Sequence, residues 1–387
     1  MILRILIFLA ILLLLPIWAI DRLYLKRRLS KKWRMVCALP NVLLLLGLTA
    51  LAINESYAAW ADQCKGTLLC WAIAFSCSET VIALLLGLAW LLRRWSGVAR
   101  AIRATAWACG AALFAASVYG FTQGYRHIVV REHTYSSARL PRAFDGYRLV
   151  QLSDLHLGTL SGHPDVVRRI VDSVNAQRPD LVVFTGDLVN YHAEEVEAFH
   201  ELLRQFMAPD GVVSVMGNHD YAQYFAWPTP ADSVADIRRL HSYHKAMGWR
   251  LLLNDHILLR RGADSLAIVG VENDGLPPFP ALADLPRALR GLGPDCFKIL
   301  LSHDPTHWRR AVLPDTDIDL TLSGHTHGMQ FKVGSFSPAE WFYKEWGGAY
   351  REGGRELYVS LGTGEVLLPF RLGAWPEINV ITLKSKP

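Results

Sequence analysis

The sequence predicts a layered α/β domain preceded by an all-α region of four membrane-spanning helices. Three observations carry that prediction. Apolar runs dominate residues 1–122, and the remainder has the composition of an ordinary soluble domain. Beyond residue 145, short β-branched runs alternate with stretches of helical periodicity. Five of those short runs end in clusters of Asp, His, Asn and Gly.

The membrane region comes first. Apolar content is 51% over 387 residues, and it is concentrated in four segments, at about 2–20, 36–53, 68–92 and 104–122. Each approaches or reaches the ~20 residues that a helix needs to cross the hydrocarbon. The first segment ends LLLLPIWAI, without a small-x-small cleavage site, so it reads as an uncleaved anchor. Residues 21–34 carry seven Lys and Arg against the single acid Asp21, and 93–103 carry Arg93, Arg94, Arg100 and Arg103 with no acid. The positive-inside rule assigns both loops to the cytoplasm. That topology puts both termini, and everything after Tyr119, outside. It implies a multi-pass protein of the inner (cytoplasmic) membrane with its second domain on the periplasmic or outer side.

Charge and cysteine usage narrow the function further. Residues 1–122 hold 13 Lys and Arg against 4 acids, and the rest of the chain is net −4. No basic groove for nucleic acid is expected from that balance. Five of six cysteines lie in the membrane region, only Cys296 lies beyond it, and none shows zinc-finger spacing. Cys64 and Cys70 form a disulfide if they meet outside the cell; the alternative is plain packing. Glu79 sits inside FSCSETVIALLL, where an ionised carboxylate costs at least a few kcal/mol. Two readings stay open for it, a groove for a lipid substrate or a protonated, hydrogen-bonded packing residue. Asn54 and Glu55 read as interfacial.

Residues 123–144 read as a linker, and the second domain as 145–387. Strands are expected at Tyr147–Ser153, Leu181–Thr185, Val212–Met216, Leu266–Val269, Phe297–Leu301 and Ile318–Leu322, with later ones at 356–360 and 377–383. Residues 163–179 and 193–206 have helical character. The pattern fits a two-sheet sandwich flanked by helices or a doubly wound sheet.

The strand ends carry the chemistry. They read Asp154-Leu155-His156, Gly186-Asp187, Gly217-Asn218-His219-Asp220, His303-Asp304 and Gly324-His325-Thr326-His327. Each piece alone is an ordinary turn or an ordinary histidine. Jointly, hard and borderline metal donors just past buried strands converge on one edge, as ligands do at the carboxyl ends of strands.

The blocks SDLHLG, TGDLVN, GNHDY, LSHDP and SGHTHG resemble those of the calcineurin-like metallophosphoesterases. The closing GTGEVLLPFRLGAWPEINVITL is similar to the membrane-linked bacterial branch of that family. The resemblance covers about residues 145–385 and implies a four-layer αββα sandwich with two divalent metal ions. Carried over by motif, Asp154, His156, Asp187 and His327 would hold one ion. Asp187, Asn218, His303 and His325 would hold the other, with Asp187 bridging. His219 would face the phosphate as an electrostatic stabiliser or general acid, and Asp220 would orient or tune its ring. Where many relatives show Gly-Gly-Gln, this chain has Gly328-Met329-Gln330.

The chemistry suits that division. Two cations ~3.5–4 Å apart can hold phosphate oxygens and a nucleophile together and make hydroxide available near neutrality. Carboxylate, imidazole and amide donors fit Mn, Fe or Zn better than Mg or Ca. Two insertions, 221–249 and 331–350, are candidates for reading the substrate. The second holds Trp341, Phe342, Tyr343 and Trp346, which pack within the loop, touch the bilayer or grip an acyl chain. Arg238, Arg239 and Lys344 are candidate phosphate contacts. The expected function is hydrolysis of a phosphoester or diphosphate of a lipid-linked or envelope substrate at the membrane. The alternatives are a non-catalytic sensor or transporter, or a UDP-diacylglucosamine diphosphate hydrolase if the catalytic domain is cytoplasmic.

Overall fold

The structure, a computed structural model, describes residues 2–53 and 59–386. The sequence readings that concern Asn54, Glu55 and the Cys64 side chain fall outside the described residues. The chain divides into two units, Met1–Gln123 and Gly124–Pro387.

Among its described residues, the first unit is built from the helices α1 (Ile2–Leu23), α2 (Lys31–Ile53), α3 (Ala59–Leu91) and α4 (Ser96–Thr122). Among the described residues, these four are long and apolar enough to cross a membrane. Leu9, Leu13, Leu44, Leu48 and Ala72 form one buried cluster, and Ile20, Leu25, Ile82, Leu86 and Ala106 another. Much of the remaining apolar surface faces outward, including Phe8, Leu46 and Leu84, as lipid-facing side chains do. Asn41, fully buried, donates through Nδ2 to Glu79 Oε2 at 2.7 Å. Glu79 therefore has a polar partner on a neighbouring helix. In the basic loop, Arg34 Nη2 donates to Asp21 Oδ2 at 2.6 Å and its Nε to the other oxygen, a two-pronged pair.

The second unit is a sandwich of two six-stranded sheets. The strands are β1 (Val129–Ser137), β2 (Arg148–Leu152), β3 (Leu181–Phe184), β4 (Val212–Ser214), β5 (Trp249–Leu251), β6 (Asp255–Arg261), β7 (Asp264–Gly270), β8 (Phe297–Leu301), β9 (Leu320–Ser323), β10 (Gly348–Glu352), β11 (Arg355–Val359) and β12 (Glu377–Ser385). One sheet has the order β1-β12-β2-β3-β4-β5 and the other β10-β11-β9-β8-β7-β6. Leu149, Leu181, Val183 and Val213 of the first sheet meet Ile268, Phe297, Ile299, Leu320 and Leu322 of the second in one buried layer. The outer face of the first sheet packs on α5 (Pro164–Ala176) through Val166, Ile170, Val171 and Val174. The outer face of the second packs on Leu285, Trp308 and Val312. Four layers, αββα, result. Continuous apolar strands such as Leu181–Phe184 follow directly, because both of their faces are covered.

Two sequence expectations are corrected here. Residues 123–144 are not simply a linker, because they contain β1, which pairs in parallel with the whole of β12. The strand lies at a sheet edge and most of VVREHTYSS is exposed or half-exposed, so its apolar alternation is faint. Its burial comes at the end, with Tyr135, then Leu140 and Phe144 in the turn that follows. Residues 193–206 are not one helix. They form a single 3-10 turn, Ala193–Val196, and a short helix, His200–Leu203. Glu195 is the cause. Its carboxylate accepts the backbone N–H groups of Gly158, Asn190, Tyr191 and His192 at 2.6–3.3 Å, which ties the segment to the loops before it. That local bonding competes with helix propagation.

Phe144 is fully buried and packs edge-on against Tyr147 at 5.5 Å. Phe144→Ala is expected to cost about 3–5 kcal/mol, whereas the exposed neighbour Arg142→Ala should stay within about 0.5 kcal/mol. Denaturant unfolding of the two full-length variants, followed by a probe of the second unit, checks this.

Candidate metal centre

The strands that end in ligand types lie side by side. β2, β3 and β4 run parallel in one sheet, and β8 and β9 run parallel in the other. Their carboxyl ends therefore share one edge of the sandwich. Gln151 joins the two sheets just beneath that edge, donating to Ser323 O at 2.8 Å. Beyond β2, β3 and β9, the chain turns through the left-handed region. Asp154, His156, Asp187, His325 and His327 have φ of 53°, 44°, 60°, 74° and 51°. Non-glycine residues seldom adopt this conformation, and such strain clusters at functional sites.

Seven side chains converge there. Asp154, His156 and His327 form one group, and Asp187, His303 and His325 another, each with donor atoms within 4.8 Å of one another. His327 Nε2 lies 3.2 Å from Asp154 Oδ1 and 3.1 Å from His156 Nε2. His303 Nε2 lies 3.2 Å from Asp187 Oδ2 and 3.2 Å from Asn218 Oδ1, which is 2.8 Å from His325 Nδ1. Asp187 Oδ2 is also 3.6 Å from His156 Nε2. One carboxylate oxygen thus faces both groups. Two glycines make room for the carboxylates. A Cβ on Gly217 would stand 2.2 Å from Asp187 Oδ1, and one on Gly324 would stand 2.3 Å from Asp154 Oδ2.

The donor set fits two divalent cations. It mixes imidazole nitrogens with carboxylate and amide oxygens, the combination suited to Mn, Fe or Zn. Burial lowers the pKa of His156, His325 and His327, which keeps them in the neutral, ligating form. His303 behaves differently. Burial alone would strip its proton, but the Asp187 carboxylate, Asp154 and the Thr185 carbonyl together outweigh burial and lift its pKa to about 10. The ring is also fixed from behind, since Nδ1 lies 2.8 Å from the carbonyl oxygen of Thr185, the kind of support that orients a ligating histidine.

His219 and Asp220 adopt separate tasks. His219 stacks on Tyr224 at 4.2 Å between ring centroids, and its Nδ1 lies 2.7 Å from Asn190 O. Its ring stands edge-on to His156 at 4.8 Å, and its ring nitrogen belongs to a further cluster with His156 and Asp187. The expectation that Asp220 orients the His219 ring is corrected. The Asp220 carboxylate accepts the backbone N–H groups of Gly217, Asp187 and Leu188, each at 2.9 Å, and of Val189 at 3.3 Å. The amides at the end of β3 point toward it, so it binds the two ligand loops together and leaves the ring to Asn190 and Tyr224.

Sequence reasoning missed several supporting groups. Tyr343 OH lies 3.0 Å from His325 Nε2, and Asn218 Nδ2 donates to Tyr224 OH at 2.9 Å. Arg371 is fully buried and spends its guanidinium on the carbonyls of Leu361, Gly364 and Ala374, with Nη2 3.1 Å from His327 Nδ1. The signal for the two tyrosines was their place in the insertions that follow ligand clusters. For Arg371 it was a lone basic residue inside an otherwise apolar closing segment. Of the basic residues singled out as phosphate contacts, Arg238 and Lys344 are exposed. Arg239 lines an open cleft of about 310 Å³ with His192, Phe225 and Trp227.

Comparisons with known proteins agree with this geometry. The family model described as calcineurin-like phosphoesterase matches residues 147–329. An uncharacterized metallophosphoesterase of Bacillus subtilis, YkuE, is 34% identical over 285 residues, which cover 71% of this chain and 92% of that protein. A transmembrane protein with metallophosphoesterase domain from Danio rerio is 32% identical over 70% of this chain, and one from Bos taurus is 30% identical over 64%. The chain spans 60% and 55% of the length of these two vertebrate relatives.

Two outcomes follow. Below its pKa of about 10, His303 carries a proton that a cation must displace. Metal affinity should therefore rise with pH, by about tenfold per unit between pH 6 and 8 for one displaced proton. Calorimetry in buffers of different ionisation enthalpy counts that proton. Gly324→Ala should reduce tightly bound metal from two ions to one, because the new Cβ displaces Asp154; elemental analysis of the purified variant checks it.

Proposed function

The chain belongs to the calcineurin-like phosphoesterase family, and from that membership we propose a membrane-tethered, dinuclear-metal phosphohydrolase that cleaves a phosphoester or diphosphate bond of a lipid-linked or envelope substrate. The fold and the ligand clusters are those of a metal-dependent hydrolase, and the four apolar helices make the chain a multi-pass membrane protein. The observation that carries the reading is the single Asp187 oxygen 3.2 Å from His303 Nε2 and 3.6 Å from His156 Nε2. A carboxylate shared in this way is what a bridged pair of cations requires.

Asp154, His156, Asp187 and His327 would hold one ion, and Asp187, Asn218, His303 and His325 the other. Two divalent cations there supply the positive charge and Lewis acidity that hydrolysis of an anionic ester needs. The chain's own residues do the rest. His219 N–H donates to Asp187 Oδ1 at 2.8 Å, which fixes the backbone of the acid residue against the bridge. His219 Nδ1 is held 2.7 Å from Asn190 O, which leaves Nε2 as the ring atom that would deliver a proton to a departing alkoxide. Tyr224 and Tyr343 hold Asn218 and His325 in place.

The charge bias of the loops supports a catalytic domain on the outer side of the inner membrane. UDP-diacylglucosamine is made in the cytoplasm, so an outer-leaflet lipid phosphate or diphosphate suits that topology better. Net −4 beyond residue 122 argues against nucleic acid.

Detergent-purified full chain, assayed with Mn, Zn or no metal, tests the proposal. The substrates would be a generic phosphodiester, a phosphomonoester, a lipid diphosphate and UDP-diacylglucosamine. Asp187→Asn should abolish turnover of all of them and lower metal content. His219→Gln should keep two metals while kcat falls about 10²–10⁴-fold, with a smaller loss for substrates whose leaving group needs no proton. Equal losses across leaving groups would remove the general-acid role. A folded chain that binds no metal would remove the hydrolase reading.

A further inference from the structure

Two loops beside the ligand cluster leave large apolar side chains in solvent. The turn His327–Gln330 carries a ligand at its start and exposed Met329 two residues later. The chain then folds back on itself, with Val333 N donating to Phe336 O at 2.9 Å and Phe336 N to Val333 O at 3.1 Å. The segment 366–372 runs alongside. Val366 N donates to Gln330 Oε1 at 2.7 Å, and Lys332 N donates to Leu372 O at 2.8 Å. The two loops therefore make one surface. It displays Met329, Val333, Phe336, Trp341, Phe342 and Leu367, the last three 69%, 71% and 84% exposed.

This exposure is selective. The same stretch turns Tyr343 toward His325, and it lays Lys332 over the face of Trp346 at 5.6 Å. Phe336, Trp341 and Phe342 face outward, while Tyr343 and Trp346 are half-buried. Leaving large apolar side chains in water forgoes the free energy of burying them. A contiguous apolar patch of this kind marks an interaction surface.

The chain itself names the occupant. Four helices of this protein fit a bilayer, the last ends at Thr122, and the second unit begins at Gly124. A lipid surface is thus covalently assured as a neighbour. Trp and Phe beside Lys332 and exposed Lys344 are the residue types that settle at the headgroup level. We propose that the surface formed by loops 329–342 and 366–372 inserts into the headgroup–acyl boundary of the bilayer that the four helices cross. The proposal rests on the membrane-tethered part of the functional reading and not on the identity of the substrate. It places His327, two residues from Met329, beside lipid headgroups.

The experiment uses the full chain in nanodiscs of phosphatidylethanolamine and phosphatidylglycerol. Subtracting the emission of Trp341→Phe from that of the unmodified protein isolates Trp341 from the tryptophans of the membrane helices. Brominating the acyl chains should quench this difference by about half or more. A second arm compares W341D/F342D/L367D with the unmodified protein. Its turnover of a soluble phosphodiester should be unchanged, and its turnover of a bilayer-embedded lipid phosphate should drop about tenfold. Unquenched Trp341 emission overturns the proposal, even if the lipid phosphate is hydrolysed. Unquenched emission with crosslinking between copies also overturns it, and assigns the patch to a second copy of the chain. Quenching without any lipid turnover upholds the docking surface and removes the lipid-substrate reading instead.

Discussion

The catalytic edge of this protein is organised around one buried carboxylate. Asp187 sits at the end of a strand covered on both faces, where an isolated negative charge would be costly. Burial opposes its ionisation, yet the charge of His303 holds its pKa well below the ordinary carboxylate range. The carboxylate also receives the backbone N–H of His219 through its other oxygen. Every group that stabilises this charge comes from a different strand end. The position of Asp187 thereby dictates where His156, His303 and the Asn218–His219 turn must lie.

That demand explains the architecture around it. Two sheets are needed, because the donors for the shared oxygen come from β2 in one and from the β8–β9 pair in the other. The inner apolar layer sets the sheet spacing, and the Gln151–Ser323 hydrogen bond ties the two sheets just below the edge. Asp220 completes the frame. Four backbone amides accepted by one carboxyl group lock the β3 and β4 loops together, and these bonds oppose the burial that, with the Asp187 charge, pushes the Asp220 pKa up to about 7. Two buried acids thus divide the labour, one facing the ligands and one facing the backbone.

Much of the layered fold was legible because its signals are local. Leu181–Phe184 and Phe297–Leu301 are continuous apolar runs, and the turn chemistry that follows each of them is rich in Asp, His and Gly. What escaped depends on partners distant in sequence. β1 is visible only against β12, some 250 residues away, because an edge strand shows little alternation of its own. The segment 193–206 has the composition of a helix, and only the reach of Glu195 to Gly158 and Asn190 shows why it is not one. Asp220 stands next to His219, so adjacency suggested a shared task that the side-chain directions separate. Arg371 and Tyr343 touch ligands across loops whose paths no local pattern encodes.

The left-handed backbone at five of the converging residues has an evolutionary reading. An L residue with a side chain holds that conformation at a cost of order 1 kcal/mol, and glycine holds it more cheaply. Drift toward glycine at Asp154, His156, Asp187, His325 or His327 would relax the backbone while erasing the chemistry. Local stability and activity therefore pull these positions in opposite directions. In a lineage that kept the scaffold but no longer needed the reaction, only the backbone hydrogen bonds accepted by Asp154 and Asp187 would still favour keeping these side chains.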